Sequence, residues 1–416
     1  MLEVTSDDVP GDGLHTIRAV AHAADGVSGQ DEKDLSIDVA PGGTDVWPPH
    51  VTPPGPFSGY TGVALLDNNS IAASGFLETQ QGLMAVVVQL DGATGKVEAG
   101  PVSLGKVAIA DAGSGPAIAA GDDGSVYVAS TRSGPTWAVS KVRPTDALPL
   151  VWTAGDEVKS TKAFGVALAG DRVVVVGACE VAPGTHDLKV WWVSAEDGEV
   201  LLERTFAAPQ KDDENNALDE LGRGVAVVGD QIVVVGERTI KGKFDKLYRR
   251  AVVVRYSLDG ELLGEWTSGG GQLEEDGAMG VAALRDGGFV IVGWGRDLFT
   301  IRQVMTRWFS ATNEPGPVRI ESTPGSDAIA YAIDEDREGK LVIAGSRKAP
   351  ATDADAWIFA IPGPLGDYAW EVIRSGPGKG PDTAAALKVG PWGHVSVVGS
   401  EFAELQPRAF ALQLYP

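Results

Sequence analysis

Seven times along this chain a five-residue run, largely β-branched or aliphatic, ends in a small residue. The runs are IAASG (71–75), VYVAS (126–130), VVVVG (173–177), IVVVG (232–236), FVIVG (289–293), LVIAG (341–345) and VSVVG (395–399). Their end points at 75, 130, 177, 236, 293, 345 and 399 lie 55, 47, 59, 57, 52 and 54 residues apart. A period near fifty is too long for a helical-pair repeat and suits a unit of four short strands. Runs of four or five apolar residues between Gly, Asp and Pro show period two or continuous burial, and neither is the 3.6-residue spacing of a helix.

Each anchor has companions in fixed order. A strand rich in small residues precedes it: GVALL (62–66), GVALA (165–169), GVAVV (224–228), GVAAL (280–284) or AYAI (330–333). A third strand follows, from AVVVQL (85–90) through AVVVRY (251–256) to AFALQL (409–414), and then a fourth such as LLERTF (201–206) or LLGEW (262–266). Four antiparallel strands repeated seven times predict an all-β chain, a seven-bladed β-propeller of four-stranded antiparallel blades. Small residues in the first strand fit the crowding of innermost strands at a central axis.

The seventh unit stops at AFALQLYP without a fourth strand, which leaves a bare edge. Trp47 stands 15 residues before Gly62, as Trp266 stands 14 before Gly280, so Trp47 takes the fourth-strand aromatic position. The last blade is therefore expected to be closed by an N-terminal strand, with Thr44–Pro48 beside Ala409–Leu414. Three segments follow: a hairpin in 1–43, a Pro-rich linker and closure strand in 44–56, and the propeller in 57–416. In the first, Ile17, Ala19, Ala21 and Ala23 share one strand face, and Leu35, Ile37 and Val39 alternate in the next.

Composition narrows function by exclusion. Lys plus Arg is 34 against 57 Asp plus Glu, a net charge of −23, which would repel a nucleic-acid backbone. The single cysteine, Cys179, rules out an intramolecular disulfide and a multi-cysteine metal site; following VVVVG, it reads as a small apolar residue at a strand end. No apolar run approaches the roughly 18 residues of a transmembrane helix. The start MLEVTSDDVPGDG has no basic segment followed by an apolar core, so an export signal is expected to have been lost upstream.

Gly224-Val225-Ala226, Gly236, Arg255-Tyr256, Gly260 and Trp266 together give the unit its fullest form, and on these residues the repeat resembles that of bacterial SBBP-type β-propeller repeat proteins over 57–416. Units one and two depart from it, with Ser130 in place of the glycine and Gln89 or Lys141 in place of the arginine. The resemblance implies a secreted or surface-attached protein and no particular activity. Residues 1–43 resemble the last two strands of a bacterial immunoglobulin-like domain; the alternative is an ordinary β-hairpin appendage.

An acidic residue stands four positions before the first strand's opening in five units: Asp111, Glu220, Asp276, Asp327 and Asp382. A ring would set these carboxylates near one mouth of the channel, able to hold a cation or a basic partner, unless each accepts backbone N–H groups in its own turn. Asp334, Asp336, Glu338 and Gly339 match early positions of a calcium loop, but Gly345 stands where the bidentate Glu belongs, so a plain turn is expected. The five histidines occupy unrelated repeat positions, and neither a metal site nor a catalytic residue is assigned. Trp191, Trp192, Trp294, Trp308, Trp357 and Trp392 form either a platform for sugar or peptide, or wedges between blades. No phosphate loop, dinucleotide fingerprint or nucleophile elbow stands in the right context.

The expected protein is thus a monomeric, non-catalytic binding or adhesion scaffold outside the cell. It would have an unidentified protein or glycan partner, no nucleic-acid partner, no membrane insertion and no cofactor. Two alternatives stay open: a propeller enzyme, either a hydrolase or a quinone-dependent dehydrogenase faintly suggested by GSVYVAS (124–130) and LDGATGKV (90–97), and a purely structural repeat.

Overall fold

The computed structural model describes residues 2–5, 14–21, 33–38, 42–51, 58–66, 70–108, 115–134, 136–143, 149–155, 160–207, 218–241, 246–269, 273–296, 301–321, 325–349, 352–391, 393–403 and 406–415. These form one three-stranded and seven four-stranded antiparallel sheets. In the small sheet, Leu14–Ala21 pairs with both Leu2–Thr5 and Lys33–Asp38, with Ile17 opposite Leu35. The hairpin read from the sequence thus has a third strand. None of the described helices is long and apolar enough to cross a membrane.

The seven larger sheets are the blades. Blade four shows the plan: Glu220–Val228, Gln231–Lys241, Leu247–Ser257 and Leu262–Thr267 run from the axis outward. The innermost strands touch in circular order, blade one to blade seven and back to blade one. One hydrophobic cluster fills each junction between neighbouring blades. This explains the unbroken valine runs. Along IVVVG, Ile232 and Val234 face blade three while Val233 and Val235 face blade five, so both sides of the strand are buried. A sheet with one solvated face would alternate instead.

Blade seven is completed by Asp45–Val51, which pairs with Gln406–Leu414: Phe410 lies opposite Val51, Ala411 opposite His50, Gln413 opposite Trp47 and Leu414 opposite Asp45. The expected closure holds and extends three residues further than the sequence suggested. Pro48 and Pro49 are tolerated because this strand is outermost and its pairing slips between Ala411 and Gln413, where the two prolines fall. Trp47 is buried, donates from Nε1 to the Gly92 carbonyl at 3.2 Å, and lies on Gly95, where an added Cβ would meet its ring at 2.4 Å. Trp152 covers Gly198 of blade three in the same way, and Trp370 covers Gly43. In blades seven, two and six the fourth-strand tryptophan thus packs on the segment that leads into the next blade's fourth strand.

Trp47→Ala should leave a cavity at the closure and lower stability by about 3–5 kcal/mol. Chemical denaturation would measure it, against Trp308→Ala, a half-buried tryptophan remote from the closure, as the milder comparison.

Candidate functional site

The innermost strands share a defect. Pairing slips by one residue between Tyr60 and Gly62, Ala163 and Gly165, Gly222 and Gly224, Ala278 and Gly280, Ala330 and Ala332, and Ala384 and Ala386. Each slip is a β-bulge, and bulges re-aim side chains. The six extra residues, Thr61, Phe164, Arg223, Met279, Tyr331 and Ala385, all line a cavity of about 200 Å³ on the axis.

Glycine permits the slip. Opposite the bulge stands the anchor's terminal glycine, and a Cβ built on Gly236 would lie 1.8 Å from the Leu221 carbonyl oxygen. The strand-opening glycine makes room sideways, since a Cβ on Gly224 would lie 2.9 Å from the Met279 carbonyl of the next blade. Blade two has Ser130 at the anchor position, and its innermost strand is only Ala117–Ala120.

Around the cavity the bulge residues of blades three to six carry most of the chemistry. The Arg223 guanidinium lies over the Phe164 ring at 4.9 Å and donates from Nη2 to Glu237 Oε2 at 3.2 Å. Glu237 is buried, and its other oxygen accepts the indole N–H of Trp294 at 2.9 Å. One blade further, Arg302 grips Asp327 through Nε at 3.0 Å and Nη2 at 2.7 Å. Those hydrogen bonds hold the guanidinium above its ordinary pKa, and Tyr331 and Glu237 lie close enough to add to the effect. Of these groups the cavity wall itself holds Arg223, Phe164, Met279 and Tyr331, joined by Lys388 of blade seven; Glu237 holds Arg223 from outside the lining, and the Arg302–Asp327 pair lies off it.

Of the acids singled out from the sequence, Asp276 and Asp327 serve the junctions between blades. Asp276 accepts the Ala251 N–H of blade four at 2.8 Å and the Ser268 hydroxyl. Asp327 accepts the Arg302 N–H of blade five at 3.2 Å. Thr161 receives the Trp137 N–H and Ser58 the Ala409 N–H, both at 3.1 Å, so the latch recurs where the residue is neutral. Glu220 instead pairs with Arg238 at 2.8 Å, deep in its own blade, and Asp382 accepts the N–H groups of Gly376 and Phe402. Asp111 lies outside the described residues. Burial pushes the Asp276 and Asp382 carboxyls above the usual range.

Among the described residues no group of three or more His, Cys, Asp or Glu is arranged to hold a metal ion. In the stretch with calcium-loop spacing, Asp336 accepts the N–H groups of Glu338 and Lys340 at 2.8 Å, the chemistry of a tight turn. Trp191 stacks on Trp137 at 4.6 Å between blades two and three, and Trp192 meets the Tyr256 edge at 5.5 Å between blades three and four. Trp294 touches the Arg223–Glu237 pair through Glu237, and Trp392 lies outside the described residues. Sequence reading missed Arg223, Phe164 and Met279. Their signal was position, since each immediately precedes a strand-opening glycine.

No family model and no curated protein matches the chain. Among solved structures it is similar to the polysaccharide lyase Uly1, with 10% identity over 85% of this chain and 89% of that one and a TM-score of 0.53. It is also similar to the periplasmic gluconolactonase PpgL of Pseudomonas aeruginosa, with 14% identity, 86% and 99% coverage and a TM-score of 0.51. A protein of unknown function from Dyadobacter fermentans has 11% identity, 91% and 100% coverage and the same TM-score. At such identity the likeness is one of fold. It corrects the expectation of a non-enzyme: propellers of this build include enzymes, and enzyme status is open. The physical reason is that radial assembly gathers side chains fifty residues apart, so the lack of a linear catalytic motif excludes nothing.

Asp276 supplies a pH test. Its folded-state pKa is raised, so its contribution to stability is greatest below the unfolded-state value and falls as pH rises through the folded-state value. The stability of the parent relative to Asp276→Asn should therefore improve as pH falls from 7 to 4, which thermal melts across that range would record.

Proposed function

We propose that the axial mouth recognises a small carboxylate-bearing ligand, with saccharide acids as the chemical class, in a protein that works outside the cytoplasm. The observation that carries this reading is the bulge ring itself. It delivers a guanidinium, Arg223, to a cavity whose other walls include Phe164, Met279 and Tyr331. Arg223 is pre-oriented by Glu237 and by the Phe164 ring, so little side-chain freedom remains to be lost on binding. A planar fork beside aromatic faces suits a carboxylate on a ring-shaped carbon skeleton. The cavity size fits a monosaccharide unit better than a long chain.

The reading takes in both a receptor and an enzyme acting on the same ligand. An exported location is supported by the resemblance of the repeats to those of secreted SBBP-type proteins and by a fold neighbour described as periplasmic. The immunoglobulin-like reading of residues 1–43 belongs to the same proposal, as a module that would present the propeller at a surface.

Titration calorimetry with glucuronate, galacturonate, gluconate and neutral glucose tests the site. The acids should bind and glucose should not, and Arg223→Gln should weaken acid binding by about 10- to 100-fold, the worth of one hydrogen bond to a charged group. Equal binding of glucose, or no effect of Arg223→Gln, would remove the reading. Lactone hydrolysis and uronate elimination, assayed on the same protein and on Tyr331→Phe, decide between receptor and enzyme.

A further inference from the structure

The outer rim of the propeller is not uniform. At the start of the fourth strand, blades two, three and four each present two consecutive aliphatic residues: Leu150 and Val151, Val200 and Leu201, Leu262 and Leu263. All six are between 41% and 56% exposed. They form one stripe, because each of these strands touches the turn that leads into the next: Trp152 lies on Gly198, and Leu202 lies on Gly260 while Arg204 donates to its carbonyl at 3.1 Å.

Proline blocks some of the outermost edges and leaves others open. The outermost strands of blades one, five and seven contain Pro101, Pro315 and Pro317, and Pro48 and Pro49 respectively, which remove edge donors and discourage a further strand. Those of blades two, three and four, LVWTAG, VLLERTF and LLGEWT, contain none, and neither does WEVIR of blade six, but that strand exposes Ile373 alone where the other three each expose an aliphatic pair. Each is the last strand of its sheet among the described residues.

Charge narrows the occupant. Glu199, Glu203, Glu261 and Glu265 flank the stripe and are exposed. Lys189 offsets Glu203 at 3.2 Å and Arg238 reaches Glu265 at 3.4 Å, but among the described residues no ion pair is recorded for Glu199 or Glu261. A second copy of this chain would set these acids, and a net charge of −23, against themselves.

We propose that the rim of blades two to four is a docking edge for an extended, basic polypeptide segment of another protein. Its backbone adds a strand to one of these three free edges, its apolar side chains reach the exposed leucines and valines there, and its cations meet the flanking glutamates. The inference is independent of the axial site.

Fluorescence anisotropy on the full chain tests it with three labelled twelve-residue peptides, alternating valine with lysine, valine with glutamate, or serine with lysine. The valine–lysine peptide should bind at least tenfold tighter than either control, and the pair Leu201→Asp with Leu263→Asp should cost at least tenfold. Glu199→Lys with Glu261→Lys, at exposed positions that leave folding intact, should shift preference toward the valine–glutamate peptide. Equal binding of the serine–lysine peptide, no binding of any, or concentration-dependent self-association abolished by Leu201→Asp would each overturn the proposal, the last by seating a second copy on the rim.

Discussion

Both faces of every blade must be covered, and only another blade can cover them. A sheet carrying IVVVG buries apolar side chains to left and right alike, so one blade alone would present two wet hydrophobic faces. The requirement propagates round the circle until the seventh blade meets the first. There Trp47, Tyr60, Val398 and Ala409 share a cluster, and the strand pairing of Asp45–Val51 with the chain's last strand holds the junction. The ring is thus a consequence of two-sided burial, and the axial cavity is what remains when seven innermost strands can approach no closer.

How near they approach is set by glycine. Six bulges have a residue without a side chain across the ladder, and in blades one, three, four and five a second glycine, Gly62, Gly165, Gly224 or Gly280, lets the next blade's innermost strand come close. The same concession creates the site, since every bulge rotates one side chain off the sheet and toward the axis. Stability and function therefore meet at single positions: Gly224 and Gly236 allow the slip, and Arg223 exploits it.

Much of this was legible beforehand. Seven anchors gave the blade number, and the distance from Trp47 to Gly62, matching that from Trp266 to Gly280, located the closing strand. The bulge was not legible, because a one-residue slip leaves composition and period unchanged; Tyr331 consequently read as an opening residue of its strand. The acids at Asp276 and Asp327 were seen, but their donors lie on the preceding blade, some twenty-five residues back, where no local pattern points. Reasoning from linear motifs also led to an unwarranted exclusion of catalysis. In a radial fold a site has no contiguous signature.

The clasp between residues 45–51 and 406–414 also imposes an order in time. A chain emerging from a ribosome or threading through a translocation pore has made the first half of the clasp long before the second exists. Until then six blades form an arc with a hydrophobic flank at each end. Every molecule therefore passes through a stage in which those two flanks are bare, and one late strand both completes the seventh blade and covers them.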